Sequence, residues 1–328
     1  MLFIMENRKI IAVVGATGAQ GGGLVRSILN DGKKEFAVRA ITRDANSPKA
    51  KELKQLGAEV VQANVDDKDS IVKAFNGAYG AYCVTFFWEH FSPEKEMEHA
   101  INMALAAKEA GLEHVIWSTL EDTRKWIPLD DKRMPTLMEK YKVPHFDAKG
   151  ASNAYFEKSG VPYTLLLTSF YWDNFIYFGL GPTRGMDGKL RITMPIGNAK
   201  LPGIAAEDIG KSVLGIFKAG KKYQNKTVGI ASEKLTGKQM AEAITKVIGV
   251  EIGFNDIAAD DYRKLGFPGA DDLGNMFQFN KEFEDNFCKS RDVKLTKELN
   301  PQLMSFDTWL SKNKRKLESV IKGEAATA

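Results

Sequence analysis

Lys9-Ile-Ile-Ala-Val-Val-Gly15-Ala-Thr-Gly18-Ala-Gln-Gly21-Gly-Gly-Leu24 decides the fold. A short apolar run, the length of a buried strand, passes directly into glycines spaced three apart, and a helical pattern follows. A strand-to-helix turn aims free backbone N–H groups and the positive end of a helix dipole at one point, where a pyrophosphate binds if no side chain blocks it. On this reading Gly15, Ala16, Thr17, Gly18, Ala19 and Gln20 form a phosphate cradle. The spacing is GxxGxxG rather than GxGxxG, and glycines alone also mark ordinary tight turns. The strand before and the helix after carry the dinucleotide reading.

Outward from this turn, the chain alternates short aliphatic runs with stretches of helical period as far as about Ser169. Strands are expected at Lys9 to Val14, Phe36 to Thr42, Ala58 to Val65, Ala78 to Phe86, His114 to Thr119 and Pro162 to Thr168. Helices are expected at about Gly22 to Asn30, Ser47 to Leu56, Asp67 to Phe75, Ser92 to Ala110 and Phe146 to Lys158. That rhythm means βαβ units and an α/β fold with a doubly wound parallel sheet. Beyond Thr168 it breaks into Gly- and Pro-rich sequence, then resumes with a helix at Ala206 to Lys218 and a strand near Thr227 to Ala231 that return to the first domain. Helical patterns near Gly237 to Ile248, Asp260 to Leu265 and Thr308 to Val320 suggest a smaller C-terminal α/β domain. The expected division is residues 8–170 with about 202–232 for the nucleotide-binding domain, and 171–201 with 233–322 for the part closing the cleft.

Composition narrows the function classes. The 328 residues are 44% hydrophobic and 27% charged with a net charge of +4, which is ordinary for a soluble globular protein and argues against a dedicated nucleic-acid binder. Cys83 and Cys288 are the only cysteines, without CxxC or a His pair at ligand spacing, so neither a disulfide framework nor a metal site is indicated and the reducing cytosol fits. The apolar opening Met1 to Met5 is too short for a signal h-region, and no run approaches the roughly 18 apolar residues of a membrane span. Lys312-Asn-Lys-Arg-Lys316 is a short basic run followed by Glu318 and reads as a solvated helix face.

Further cofactor clues lie at strand ends. The second strand ends Ile41-Thr42-Arg43, where an NAD-binding protein usually carries an acid for the ribose hydroxyls. A guanidinium there matches a 2′-phosphate, so Arg43 points to NADP(H), although a solvated arginine with Asp44 on the ribose is the alternative. Asn64 and Val65 fall where an adenine lies, with Asp66 or Asp67 capping the next helix. Thr85, Phe86, Phe87 and Trp88 end the fourth strand near the crevice, as nicotinamide neighbours or as core. Ser118 and Thr119 end the fifth strand, and Cys83 reads as an inert core thiol.

These motifs in this order resemble the NmrA-like family of atypical short-chain dehydrogenases. The resemblance rests on Gly15 to Gly22, Ile41-Thr-Arg43, Leu56 to Gln62, Val84-Thr85, His145-Phe-Asp-Ala-Lys149-Gly, Gly160-Val-Pro, Tyr171-Trp-Asp-Asn174 and Lys264 to Ala270, and spans nearly the whole chain. It is most similar to the animal redox-sensor branch. The resemblance implies an NAD(P)-binding Rossmann domain with a smaller domain over the cleft, and a regulatory role that answers to the NADPH/NADP ratio. It also implies a protein partner, a cytoplasmic setting, and no membrane or direct nucleic-acid contact, and admits a nuclear setting and a homodimer. Carried over by position, Gly15 to Gln20 would meet the phosphates, Arg43 and Ser47 the 2′-phosphate, and Asn64 and Val65 the adenine. Thr85, Phe86 and Phe87 would line the nicotinamide half, Lys149 would hold its ribose, and Tyr171, Trp172, Asp173 and Asn174 would close over it. Ser47 and Glu98 depart from the redox-sensor pattern, which has lysines there.

Active short-chain dehydrogenases place a tyrosine four residues before a lysine, whose charge lowers the phenol's pKa for proton exchange. None of the nine tyrosines here has that lysine, and Lys149 has His145 in the tyrosine's place. Histidine is a competent proton carrier, so His145 and Lys149 are the catalytic candidates. Two readings follow. The missing tyrosine tips the sequence toward a non-enzymatic NADP(H) sensor acting through a protein partner. The retained Lys149 and an apolar cleft lining favour an NADPH-dependent reductase of a small molecule held among Phe87, His145 and the aromatic cluster from Tyr171 to Phe178.

Overall fold

Seven parallel strands form the central sheet of the computed structural model, which describes residues 8–324; the apolar opening at residues 1–5 lies outside them. They are β1 (Lys9–Val13), β2 (Phe36–Thr42), β3 (Glu59–Gln62), β4 (Gly80–Cys83), β5 (His114–Thr119), β6 (Tyr163–Leu167) and β11 (Lys226–Gly229). The order is β11-β6-β5-β4-β1-β2-β3, so the chain reverses direction across the sheet between β1 and β4 and opens a crevice there. Every residue of β4 and β5 is buried, as a central strand covered on both faces requires, whereas β3 is the edge and exposes Glu59 and Gln62. The expected third and fourth strands were longer than those formed. The β2–β3 ladder ends at the bond from the Ala63 N–H to the Thr42 carbonyl, and the last bond from the β1 side to β4 is that of the Val14 N–H to the Tyr82 carbonyl, so Val84 to Phe86 leave the sheet.

Helices α1 (Ala19–Leu29), α2 (Pro48–Gln55), α3 (Lys68–Phe75), α4 (Pro93–Glu109), α5 (Pro144–Lys158) and α7 (Ala206–Lys218) cover the sheet. Ser92 caps α4 by accepting the Lys95 N–H at 3.2 Å, with Pro93 in the first turn, and Asp67 caps α3. The short α6 (Asn174–Tyr177) follows β7 (Phe170–Tyr171). Strands β7, β10 (Lys200–Ile204) and β12 (Glu233–Thr236) form one small sheet, and β8 (Thr183–Arg184), β9 (Leu190–Thr193) and β13 (Ile252–Asn255) another.

The C-terminal part adds α8 (Gly237–Ile248), α9 (Ala259–Arg263), α10 (Ala270–Glu282), α11 (Glu284–Lys289), α12 (Val293–Leu299) and α13 (Phe306–Ile321). Two of the three cores lie on the faces of the central sheet; the third joins Trp172, Phe175, Ile192, Met240, Phe277 and Trp309. Ile127, Met134, Val143 and Phe146 also belong to that third core, while Leu295, Leu299 and Leu303 join a sheet core, so the chain crosses between the two parts more often than the expected boundaries allow. Helix α10 was not foreseen. It buries residues on nearly all sides, three of them polar, so no amphipathic stripe marks it.

Candidate functional site

A cleft opens over the C-terminal ends of β1 and β4 and runs under α6 and α10; it continues as a groove past α1 and α7 to Asn300 and Gln302, about 2010 Å³ in all. At one end stands the glycine turn. Gly15 holds a φ of +64°, open to glycine at little cost, and a Cβ on Gly21 would stand 2.3 Å from the Gly15 carbonyl oxygen. Helix α1 therefore starts hard against the turn. Its N-cap Gly18 offers no side-chain bond and its first turn has no acidic residue, which leaves first-turn N–H groups free beside Thr17, Ala19 and Gln20 in the cleft wall.

The Gln20 side chain is spent inside the protein. Its Nε2 donates to the Tyr171 hydroxyl, while Oε1 accepts from the Tyr82 hydroxyl and from Ser118 Oγ at 2.9 Å. The amide thus ties the turn to β4, β5 and β7, and Ser118 is engaged there. Burial pushes the Tyr171 phenol up to about 12 and raises that of Tyr82 well above its ordinary value, and both hydroxyls are tied to the Gln20 amide.

Lys149, on α5, reaches the cleft from the other side. Its Nζ donates to Thr85 Oγ1 at 2.6 Å and pairs with Glu96 Oε1 at 2.8 Å. Glu96, on α4, is fully buried. Burial alone would raise its carboxyl; the Lys149 charge and hydrogen bonds from His90, Lys149 and Thr85 instead hold it down near about 2. A depressed folded-state value stabilises the fold above the unfolded pKa, and that stabilisation is lost as pH falls from about 4.5 to about 2. Acid unfolding followed by circular dichroism should therefore steepen across that window, and Glu96→Gln should remove the steepening; an identical acid limb in the variant would show that the pair contributes nothing.

His90, Glu96 and His99 lie close enough together to suggest a cation site. The donor set does not fit one. His90 Nδ1 accepts the Ser92 N–H at 3.1 Å, so in the neutral ring Nε2 carries the hydrogen and faces Glu96 Oε2 at 3.3 Å. His99 Nε2 is bonded to Asp66 Oδ1 at 2.7 Å.

His145 sits in the first turn of α5, buried to 6% exposure yet lining the cleft. Its ring packs against Trp88 at 4.8 Å and Phe87 at 5.9 Å between centroids. Nδ1 is bonded to Asp272 Oδ1 at 2.7 Å, and the other carboxylate oxygen accepts the His145 backbone N–H at 3.1 Å. Asp272 lies on α10, and no sequence signal linked it to His145. With Nδ1 held by a carboxylate, Nε2 is the atom left for proton transfer.

Of the expected cofactor residues, Gly15, Thr17, Gly18, Ala19, Gln20, Thr85, Phe86, Phe87, Lys149, Tyr171, Asp173 and Asn174 line this cleft. The others sit elsewhere for identifiable reasons. Ala16 is buried and its N–H donates to the Ile41 carbonyl at 3.2 Å. Ser47 caps α2, while its neighbours Pro48 and Lys49 reach the cleft wall. Asn64 turns its amide oxygen to the Asp66 N–H at 3.2 Å, and the Val65 carbonyl accepts from Asn102 at 2.9 Å. Trp172 is 1% exposed and stacks among Phe306 and Trp309 in the third core. Arg43 is exposed and ion-paired to Glu89, joining the loops after β2 and β4 that flank the glycine turn. Cys83 is buried, and burial pushes its thiol up. Lys312 pairs with Glu207 at 2.6 Å, so the basic run is partly engaged within the chain.

The sequence model of the NmrA-like family matches residues 7–310. The chain is 29% identical over 294 residues to the NmrA-like family domain-containing oxidoreductase cpsB of Aspergillus campestris, covering 83% of each. Among solved structures it resembles NmrA, a negative transcriptional regulator, in complex with NADP, with a TM-score of 0.77 and 21% identity over 95% of this chain and 98% of that one. It also resembles the NADPH-dependent quinone oxidoreductase QOR2 of Escherichia coli in complex with NADPH, with a TM-score of 0.72 and 19% identity over 93% and 99%. At these identities the two solved structures speak for the fold alone.

Proposed function

This chain belongs to the NmrA-like family, and from that premise we propose that it is an NADP(H)-binding reductase of an apolar small molecule carrying a carbonyl, quinone or enone, with His145 as proton donor. The observation that carries this reading is the His145–Asp272 pair, a cleft-lining imidazole oriented from behind by a buried carboxylate. A buried imidazole needs a hydrogen-bond partner wherever it stands; what sets this one apart is that the same ring also lines the cleft. The oxidoreductase relative favours the same reaction class.

The residues present fit a dinucleotide. The uncapped start of α1 offers N–H groups to a pyrophosphate, and Arg43 with Lys49 supplies positive charge for a 2′-phosphate. When bound, reduced cofactor supplies a hydride. The chain's own groups do the rest: Lys149, held by Thr85 Oγ1 and Glu96, would exchange its long 3.4 Å bond to the Thr85 carbonyl for a ribose hydroxyl, and Phe87, Trp88 and Phe178 exclude water around the His145 ring. His145 Nε2 delivers the proton that accompanies reduction, and Asp272 steadies the ring as its charge changes.

Arg43→Ala should weaken NADP(H) binding by about 1–3 kcal/mol while leaving NAD(H) nearly unchanged. Glu89→Gln should act the other way and tighten NADP(H) severalfold, because it releases Arg43 from its ion pair. Titration calorimetry with both cofactors checks the pair of variants, and equal losses for NADP(H) and NAD(H) in Arg43→Ala would sink the 2′-phosphate assignment.

The test of the reaction is to load the protein with NADPH and follow its near-ultraviolet absorbance against quinones, aldehydes and enones. Consumption above the protein-free rate supports the reductase. If protein shown to hold NADPH consumes none across the panel, the second reading takes its place. That reading is an NADPH/NADP sensor acting through a protein partner, and the absence of a tyrosine four residues before Lys149 favours it.

A further inference from the structure

Helix α10 buries three polar side chains besides its apolar ones: Asp272, Asn275 and Asn280. Two are fully engaged. Asp272 holds His145 through both oxygens, and Asn275 donates to the Pro135 and Lys142 carbonyls while accepting from Arg263 Nη1 at 2.8 Å. Asn280 is 3% exposed, and its amide makes no hydrogen bond among the described residues; its Oδ1 is buried and unpartnered. Leaving such a group unsatisfied costs about 1–3 kcal/mol, enough to disfavour asparagine at an ordinary core position.

The amide lies in the cleft wall. Leu273, Met276 and Asn280 stand at helical spacing on one face of α10, and all three line the cleft with Leu120, Phe146 and Phe170. A lone amide in an otherwise apolar wall selects a ligand for one hydrogen-bonding group, and by turning over it meets a donor or an acceptor. Asn280 lies eight residues beyond Asp272, about 12 Å along the helix axis from the carboxylate that orients His145.

We propose that Asn280 is the specificity-determining residue of the substrate chamber, and that the substrate is an elongated apolar molecule with its reducible group at His145 and one hydroxyl, carbonyl or amide about 10 Å away, bonded to Asn280. This rests on the cleft being a substrate chamber. Rejection of molecules lacking the far polar group follows, because they leave the amide unpaired.

Binding of two ketones that differ at one position tests this without turnover. Protein saturated with NADP+ is titrated by calorimetry with 2-acetylnaphthalene and with 6-hydroxy-2-acetylnaphthalene, whose hydroxyl lies at the far end from the carbonyl. The hydroxylated ketone should bind about tenfold tighter to the native protein, the scale of one net hydrogen bond. Asn280→Leu and Asn280→Ala should abolish the preference, keep NADP+ affinity, and leave the melting temperature equal or higher. A preference under about twofold, a preference that survives both substitutions, or a lowered melting temperature with the preference intact would overturn the proposal. Because no reduction is needed, a preference that depends on Asn280 in a protein that consumes no NADPH would retain the chamber and reject the reductase reading alone.

Discussion

His145→Ala is expected to lower NADPH consumption with an accepted carbonyl or quinone by about a hundred- to ten-thousand-fold, the scale of a removed general acid. Its affinity for NADPH should be nearly unchanged, because on the proposed reading the cofactor's phosphates would meet the glycine turn and not the His145 ring. The neighbours make the effect specific. Burial pushes the Tyr171 phenol up to about 12, and its hydroxyl is engaged with Gln20 and not with the His145 ring. Asp272→Asn should retain the ring's position and lose a smaller part of the rate, since an amide no longer stabilises the charged imidazole. Stopped-flow single turnovers separate these effects from product release. Wild-type rates in His145→Ala, in a protein that turns substrate over, would mean that the proton comes from elsewhere.

Gly21→Ala is expected to abolish binding of NADP(H) and NAD(H) alike, by about a hundredfold or more. The added Cβ would stand 2.3 Å from the Gly15 oxygen and 2.7 Å from its carbonyl carbon, and both are backbone atoms that cannot rotate aside. Relief requires α1 to move off the turn. That displaces the N–H groups which together form the anion site, and overpacking of this kind costs about 1–3 kcal/mol in stability. Calorimetric titration and a thermal melt check both effects. Full affinity in a folded variant would remove the start of α1 from the cofactor site.

Much of the sheet was legible because its signals are local. The apolar runs at Phe36 to Thr42 and His114 to Thr119 became strands with the expected limits, and Ser92-Pro93 announced α4 by cap chemistry. Where strands ended early the reason was a neighbour: β3 and β4 stop where β2 and β1 no longer offer partners. Trp172 illustrates a related limit. It lies beside Tyr171 and Asp173, which line the cleft, but in the turn between β7 and α6 its ring packs against Phe306 and Trp309, and Trp172 fell to the core.

By itself the sequence determined the glycine turn between β1 and α1, the parallel order of βα units, the absence of a tyrosine four residues before Lys149, and the presence of His145 in its place. Periodicity and turn chemistry act over a few residues, so these features could be read in place. Only the tertiary structure decided that His145 meets Asp272 across 127 residues, that Lys149 is bound to Glu96, and that Asn280 faces the cleft without a partner. Those relations depend on how α10 and α4 pack against α5. Since α10 is buried nearly all round, its polar residues are placed by what they meet in the fold, His145 for Asp272, Arg263 for Asn275 and the cleft for Asn280, and not by any repeat along the chain.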